Sequence, residues 1–320
     1  YYQTGGARKS GTLIMYNGII NIYKEKGYTS HDVVAKLRGI LKQKKIGHTG
    51  TLDPDATGVL PVCLGNGTRL CDMLTDRTKE YKVTMLLGVT TDTEDISGTV
   101  LTEKEVTADA GAITDAIMSF VGSYDQIPPM YSAIKVNGHK LYELARKGVE
   151  VERKPRNVVI DYIKIDTVGT AECAFTVGCS KGTYIRSLCR DIGTKLGCGA
   201  CMKDLVRTRS GICLAEDALT LDEVEQRKNA GTLEKCIKPV DFFFMDYPAA
   251  VIPETYWKYV KNGNMFKADE CSAGRLEKDD VYKVRIYFDR KEREPFFTAL
   301  YEYDRHTGIY RPYKMFLNGE

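Results

Sequence analysis

The stretch "GIINIYKEKG" (18–27) is an apolar run closed by polar residues and predicts a short strand and turn. Behind it Val33, Val34, Leu37, Ile40 and Leu41 recur at helical spacing. That spacing predicts a helix over 31–43 with one buried stripe and Ser30 as its N-cap. In "EYKVTMLLGV", Tyr81, Val83, Met85 and Leu87 alternate with other residues, the period of a half-buried strand. A short helix is expected over 68–74, and "VTADAGAITDAIMSFVG" (106–122) reads as another helix. "NVVIDYIKIDTV" and "AECAFTVGCS" read as strands whose close spacing suits antiparallel pairing. "YIRSLCRDIGTKLG" is a helix closed by Gly197, and "TLDEVEQ" is a further helix.

The character of the chain changes near "FMDYPAAVIPETY" (244–256). Beyond it "VYKVRIYFD", "PFFTALYEYD" and "GIYRPYKMFL" are strand-like and separated by turns, as in a small β unit. Strands and helices mix without regular βαβ alternation, so the pattern favours an α+β fold over a doubly wound parallel sheet. Residues 1–14 show no pattern and are read as an added leader or a disordered segment, with Met15 as the natural start.

The 320 residues are 43% apolar, which is ordinary for a globular chain, and none of the apolar runs is long enough to span a membrane. Ten cysteines lack framework spacing, and with no export signal they are expected to be free thiols in a cytoplasmic protein. Cys198 and Cys201 form one CxxC, but no second ligand pair accompanies it, so no metal is expected. The net charge of +3 says little by itself. Its distribution says more: residues 135–209 hold 15 Lys/Arg against 8 Asp/Glu, which fits either a phosphate-tracking surface or a solvated face.

Between the first helix and the half-buried strand lies "KKIGHTGTLDPDATGVLPVCLGNGTRL" (44–70), read as a glycine-rich loop. Its only carboxylates are Asp53 and Asp55. Pro54 restricts Asp53 to extended geometry, so the carboxylate projects from a fixed backbone. The residues alone leave capping, an Asx turn, cation binding and catalysis open. A phosphate cradle is excluded, because neither GxxxxGK[ST] nor GxGxxG is present here. The oxygen ligands of a calcium loop are missing. Two acids two residues apart make a poor platform for a glycosidase pair.

"GHTGTLDPDATGVLPVCLG" closely resembles the signature of the TruB-type tRNA pseudouridine synthases. "KGYTSHDVV", "KEYKVTMLLGVTTDTED", "QIPPMYSAIKVNGHKLYELARKG", "SKGTYIRSLCRDIG" and "DLVRTRSG" resemble further blocks of that family, in the same order. One departure is that Glu25 follows Lys24 where the family often has proline. The resemblance implies a catalytic domain over 15–247 with a mixed, largely antiparallel sheet. It further implies a thumb-like RNA-binding insert at about 128–156 and a PUA-like β-rich domain over 248–320. It implies cofactor-free isomerisation of uridine-55 in the tRNA T loop, by a monomer without an obligatory protein partner.

By the same resemblance Asp53 acts at the ribose, either attacking C1′ or taking the 2′ proton. Arg186 pairs with it and keeps it ionised, and Tyr81 stacks on the uracil. His48 enters the space left by the flipped base, with Gly47 and Thr49 beside it. Leu205 is an apolar wall of the uracil pocket, Tyr184 is a further substrate-binding residue, and Lys135, Lys140, Arg146 and Lys147 contact phosphates. Two alternatives stay open: a catalytically weak tRNA-binding or folding protein, and a relative directed by guide RNA.

Overall fold

The computed structural model describes residues 15–75, 77–136, 138–269, 280–289 and 295–317; the expected leader at 1–14 lies outside them. A nine-stranded mixed sheet forms the centre. Its main path runs Gly18–Lys24, Thr57–Leu64, Ala200–Ser210, Lys79–Leu87, Glu172–Cys179, Arg156–Val168, Gly122–Gln126. All neighbours on this path are antiparallel except Thr57–Leu64 with Ala200–Ser210. The α+β expectation and the largely antiparallel sheet both hold.

Two strands in the middle of this sheet differ from the sequence reading. Residues 57–64 belong to the stretch read as a loop, yet seven of the eight are buried. A strand covered on both faces has no polar alternation to reveal it. Ala200–Ser210 is likewise a strand that no periodicity announced. The two run parallel, with Arg207 opposite Gly58. Gly58 has φ 105, and a Cβ there would lie 2.2 Å from the Arg207 carbonyl oxygen. Only glycine permits that approach.

The first helix is Ser30–Leu41, and its N-cap is Thr29 rather than Ser30. The Thr29 hydroxyl accepts from the Asp32 N–H at 3.0 Å while Asp32 accepts from the Thr29 N–H at 2.9 Å. This reciprocal box needs an acid three residues after the cap, which Thr29 has. Val33, Val34, Leu37 and Leu41 are buried with Leu60 and Val62 of the sheet and Leu221 and Val224 of the helix Leu221–Asn229. Each such aliphatic side chain contributes roughly 1.5–3 kcal/mol by leaving water. A second cluster, which includes Val83, Met85 and Leu205 of the sheet, packs on the helix Ile185–Leu196 through Leu188, Cys189 and Ile192. That helix ends at Gly197 in the left-handed region, as expected. The helix read at 106–122 is shorter, Ala110–Met118, capped by Asp109. The short helix at 68–74 is a 3-10 turn Gly65–Leu70 running into Cys71–Thr75.

The C-terminal β-rich domain carries a five-stranded sheet and the helix Glu254–Lys261. Its Leu300, Phe297 and Phe316 share a core with Ile19, Val59, Leu70, Phe243 and Phe244. Arg69 donates to the Met315 carbonyl at 2.8 Å and Asn66 to the Phe316 carbonyl at 3.0 Å. The tail is therefore welded to the edge of the central sheet.

Candidate active site

Asp53 sits on the turn between Ile46–His48 and Thr57–Leu64, and hydrogen bonds tie that turn down at several points. Leu52 is buried in the main core, and its N–H donates to the Ser30 hydroxyl at 2.9 Å. The side chain expected to cap the helix thus holds the loop instead. The Pro54 carbonyl accepts from Lys24 Nζ at 3.0 Å and from the Gly27 N–H at 2.9 Å. The Ala56 N–H closes the turn on the Asp53 carbonyl at 3.2 Å.

The strongest tie is Arg207, which is 1% exposed. Its guanidinium donates to the carbonyls of Val59 at 2.8 Å, Gly50 at 3.2 Å and Thr51 at 3.5 Å. One buried cation thereby satisfies three main-chain acceptors around the turn. The sequence reading did not single out Arg207 or Lys24. Both carry a weak signal: each stands in the buried phase of its strand, Lys24 after Ile20 and Ile22, Arg207 after Leu205.

The Asp53 side chain is 40% exposed and that of Arg186 is 7% exposed. They meet as a fork: Arg186 Nε lies 3.0 Å from Asp53 Oδ2, and Nη2 donates to Oδ1 at 3.2 Å. One charge-assisted hydrogen bond and a second close N···O ion-pair contact hold the carboxylate in place. Arg186 Nη1 donates to the Thr93 carbonyl at 3.0 Å and Nη2 to the Tyr131 carbonyl at 2.9 Å. Asp95 lies 3.8 Å from Nε. Burial pushes the Asp53 carboxyl above its ordinary value; Arg186 pulls it back and the Asp95 charge pushes it further up. Arg186 lies against this carboxylate, and its charge acts against the effect of burial.

Asp53, Tyr81, Tyr184, Arg186 and Leu205 line one cavity of about 550 Å³. Tyr81 is buried, and burial raises its phenol above the ordinary value. It stands opposite Arg207 in the ladder, which pulls that value partly back. Tyr184 starts the Arg186 helix; its N–H donates to Gln126 Oε1 at 2.8 Å and its carbonyl accepts from Gln126 Nε2 at 3.0 Å. Leu205 lies opposite Val83 and forms an apolar wall. The rim includes Arg156 and Lys181, which sequence reasoning did not name.

The other expected residues lie outside this cavity lining. Thr49 is buried, its N–H and hydroxyl both on the Pro61 carbonyl at 3.1 and 3.4 Å, so it tethers the loop. Gly47 pairs with Cys63, and a Cβ there would come within 3.1 Å of Cys71 Sγ. His48 packs edge-on to His31 at 5.2 Å and accepts from the Gly50 N–H at 3.3 Å. Burial, then the charges of His31 and Arg207, lower its pKa to about 4. Lys135 and Lys140 face each other on a small hairpin, with Lys140 and Arg146 flanking the Tyr142 ring at 5.3 and 5.5 Å. Lys147 is exposed at the end of the helix Leu141–Ala145. Arg146 lines an adjoining cavity that also includes Asp53, Tyr131 and Arg186. Among the described residues no group of three or more His, Cys, Asp or Glu converges as metal ligands do.

The chain matches the TruB family pseudouridylate synthase N-terminal domain over residues 38–185. It matches the tRNA pseudouridylate synthase B C-terminal domain over 186–244. It is 52% identical to the tRNA pseudouridine synthase B of Lachnoclostridium phytofermentans, over 94% of this chain and all of that one. Identity to the protein of the same name from Alkaliphilus oremlandii is 49%, over 78% of this chain and 82% of that one. A solved Cbf5-Nop10-Gar1 complex contains a chain of similar fold, with TM-score 0.66 and 30% identity. That match covers 94% of this chain and 85% of the other.

Proposed function

The chain belongs to the TruB family of pseudouridine synthases, and on that premise we propose that it isomerises uridine-55 in the T loop of tRNA, with Asp53 acting at the ribose. The observation that carries the reading is the Asp53–Arg186 fork in the wall of a cavity lined by two tyrosines and a leucine. Such a cavity offers a nucleobase an aromatic surface and an apolar wall, and offers its sugar a fixed carboxylate. The names of the relatives at 52% and 49% identity support tRNA as the substrate. The higher identity to relatives named as tRNA enzymes than to the chain of the Cbf5-Nop10-Gar1 complex supports an enzyme that works without such partner proteins.

In the proposed reaction the base is flipped out of the T loop into the cavity and stacks on Tyr81. The Asp53 carboxylate either attacks C1′ or removes the 2′ proton, and the N1–C1′ bond breaks. The detached uracil turns and C5 bonds to C1′ as the Asp53 carboxylate leaves C1′ or, on the other route, returns the proton to C2′; C5 then loses its proton while N1 gains one, so the atoms balance without an external reactant. Tyr81 takes part in removing the C5 proton. His48, neutral because of its lowered pKa, fills the space the base leaves. Arg146, Lys147, Lys135 and Lys140 contact phosphates from the insert at about 128–156, and the unit 248–320 adds contacts to the rest of the tRNA. Catalysis resides in 15–247.

The test is the purified protein with a T-arm stem-loop and with whole tRNA, the product mapped for pseudouridine, and Asp53→Asn alongside. The expected result is conversion at the one uridine by the parent and binding without conversion by Asp53→Asn. Product from Asp53→Asn near the parent rate removes Asp53 from the chemistry. Conversion elsewhere, or none, overturns the substrate.

A further inference from the structure

Among the described residues only two other than glycine have positive φ, Lys42 at 54° and Glu94 at 64°. Lys42 ends a helix, where the left-handed conformation is common. Glu94 sits in "TTDTED", and a bulky residue persists in that conformation only where its surroundings over-determine it. Here they do. Glu94 is buried. One carboxylate oxygen accepts from the Ser187 hydroxyl at 2.7 Å and the other takes the Arg190 guanidinium. Its N–H donates to the Thr91 carbonyl at 3.3 Å, and its own carbonyl accepts from the Met202 N–H at 3.0 Å.

Its neighbours show what this anchoring holds. Thr93 offers its carbonyl to Arg186 at 3.0 Å, and Asp95 puts its carboxylate 3.8 Å from the same guanidinium. Three successive loop residues, 93 to 95, thus engage Arg186, Ser187 and Arg190, all on the first turns of the helix Ile185–Leu196. Arg190 is braced in turn by Asp191 at 2.8 Å and by the Ile127 carbonyl at 2.9 Å. The Ile127 segment leads to Tyr131, whose carbonyl holds Arg186 from the other side.

We propose that Glu94 is a positioning residue for the isomerisation: its carboxylate clamps the 93–95 loop to the helix, and the loop sets the plane in which Arg186 presents its fork to Asp53. This rests on the reading of Asp53 and Arg186 as the reacting pair. Glu94 touches neither Asp53 nor the cavity wall that holds the base; it acts through the orientation of Arg186.

Glu94→Gly separates the carboxylate from the backbone, because glycine adopts φ 64° without strain and keeps the loop path. Single-turnover rate at saturating T-arm stem-loop and the dissociation constant for the same RNA are measured for each protein. The expected result is a rate lower by about 10- to 100-fold, the scale of a small misplacement of a reacting group, with RNA affinity unchanged. Glu94→Gln, which keeps size and one acceptor oxygen, recovers part of the loss. Parent rate in Glu94→Gly, or a loss confined to affinity, overturns the proposal. Should Glu94→Gly fail to fold, Glu94→Gln decides: slowed turnover with unchanged affinity supports the clamp, and parent rate overturns it. A parent protein that forms no pseudouridine, or an Asp53→Asn protein that forms it freely, overturns the underlying reading and the clamp with it. A parent that turns over beside a fully active Glu94→Gly overturns the clamp alone.

Discussion

Lys24 Nζ donates to the carbonyl of Pro54 at 3.0 Å, so a buried cation at the end of the first strand holds the residue that follows Asp53. The same ammonium reaches the carbonyls of Tyr28 at 2.6 Å and Glu25 at 3.2 Å. Burial lowers its pKa to about 8, although Asp53 and Asp55 favour the charge. Lys24→Met keeps the apolar stem and strands these carbonyls. It is expected to fold with stability reduced by about 1–3 kcal/mol and to turn over more slowly. Urea unfolding and single-turnover assays measure both; unchanged values in both mean that Lys24 does not hold the turn.

Arg207→Met removes donors from three carbonyls at once, those of Val59, Gly50 and Thr51. Each buried acceptor left without a partner costs roughly 1–3 kcal/mol, so the loss exceeds that of an average core substitution. The denaturation midpoint is expected to fall further than for Lys24→Met. A midpoint equal to the parent's shows that water replaces the guanidinium.

Tyr81→Phe keeps the stacking face in the cavity and loses the hydroxyl, whereas Tyr81→Leu loses both. The Phe protein is expected to bind RNA normally and to stop short of product. The Leu protein weakens binding as well, by roughly 1–3 kcal/mol if one base stacks there. Parent-rate product from Tyr81→Phe leaves the residue as a stacking surface alone.

His48 has a folded pKa of about 4, against 6.5 for an unperturbed histidine. Between those values the unfolded chain takes up a proton that the folded site refuses. Its contribution to stability is therefore full above about 6.5 and is lost as pH falls through that window. Unfolding free energy measured from pH 7 to 4 is expected to fall less steeply in His48→Gln than in the parent. The His48 ring signals should titrate near the lower value by NMR; titration near 6.5 contradicts this.

Removing residues after Tyr247 takes away Leu300, Phe297 and Phe316 and bares Phe243 and Phe244. The shortened protein is expected to melt at lower temperature and to aggregate, in addition to binding whole tRNA less well. Thermal unfolding and light scattering read this directly. A shortened protein with the parent's melting temperature shows that the shared core adds nothing to the catalytic unit.

The sequence by itself determined the elements in which one face meets solvent. Tyr81, Val83, Met85 and Leu87 alternate because only one face of that segment is apolar, and Val33 to Leu41 stripe a helix for the same reason. It also determined the candidate chemistry, since the order of motifs around Asp53, Tyr81 and Arg186 carries the family resemblance. Three matters were decided only by the tertiary structure. The strands Thr57–Leu64 and Ala200–Ser210 lie mid-sheet with little solvent-facing alternation to mark them. Thr49, expected beside the substrate, turns inward to the Pro61 carbonyl, and Ser30, expected at a helix cap, binds Leu52. Lys24, Arg207 and Glu94 read in sequence as ordinary charges. They hold the site because chain segments more than 25 residues away bring main-chain carbonyls or a helix face to them. A charge's role depends on which unsatisfied groups share its burial, and that is a property of the packed chain.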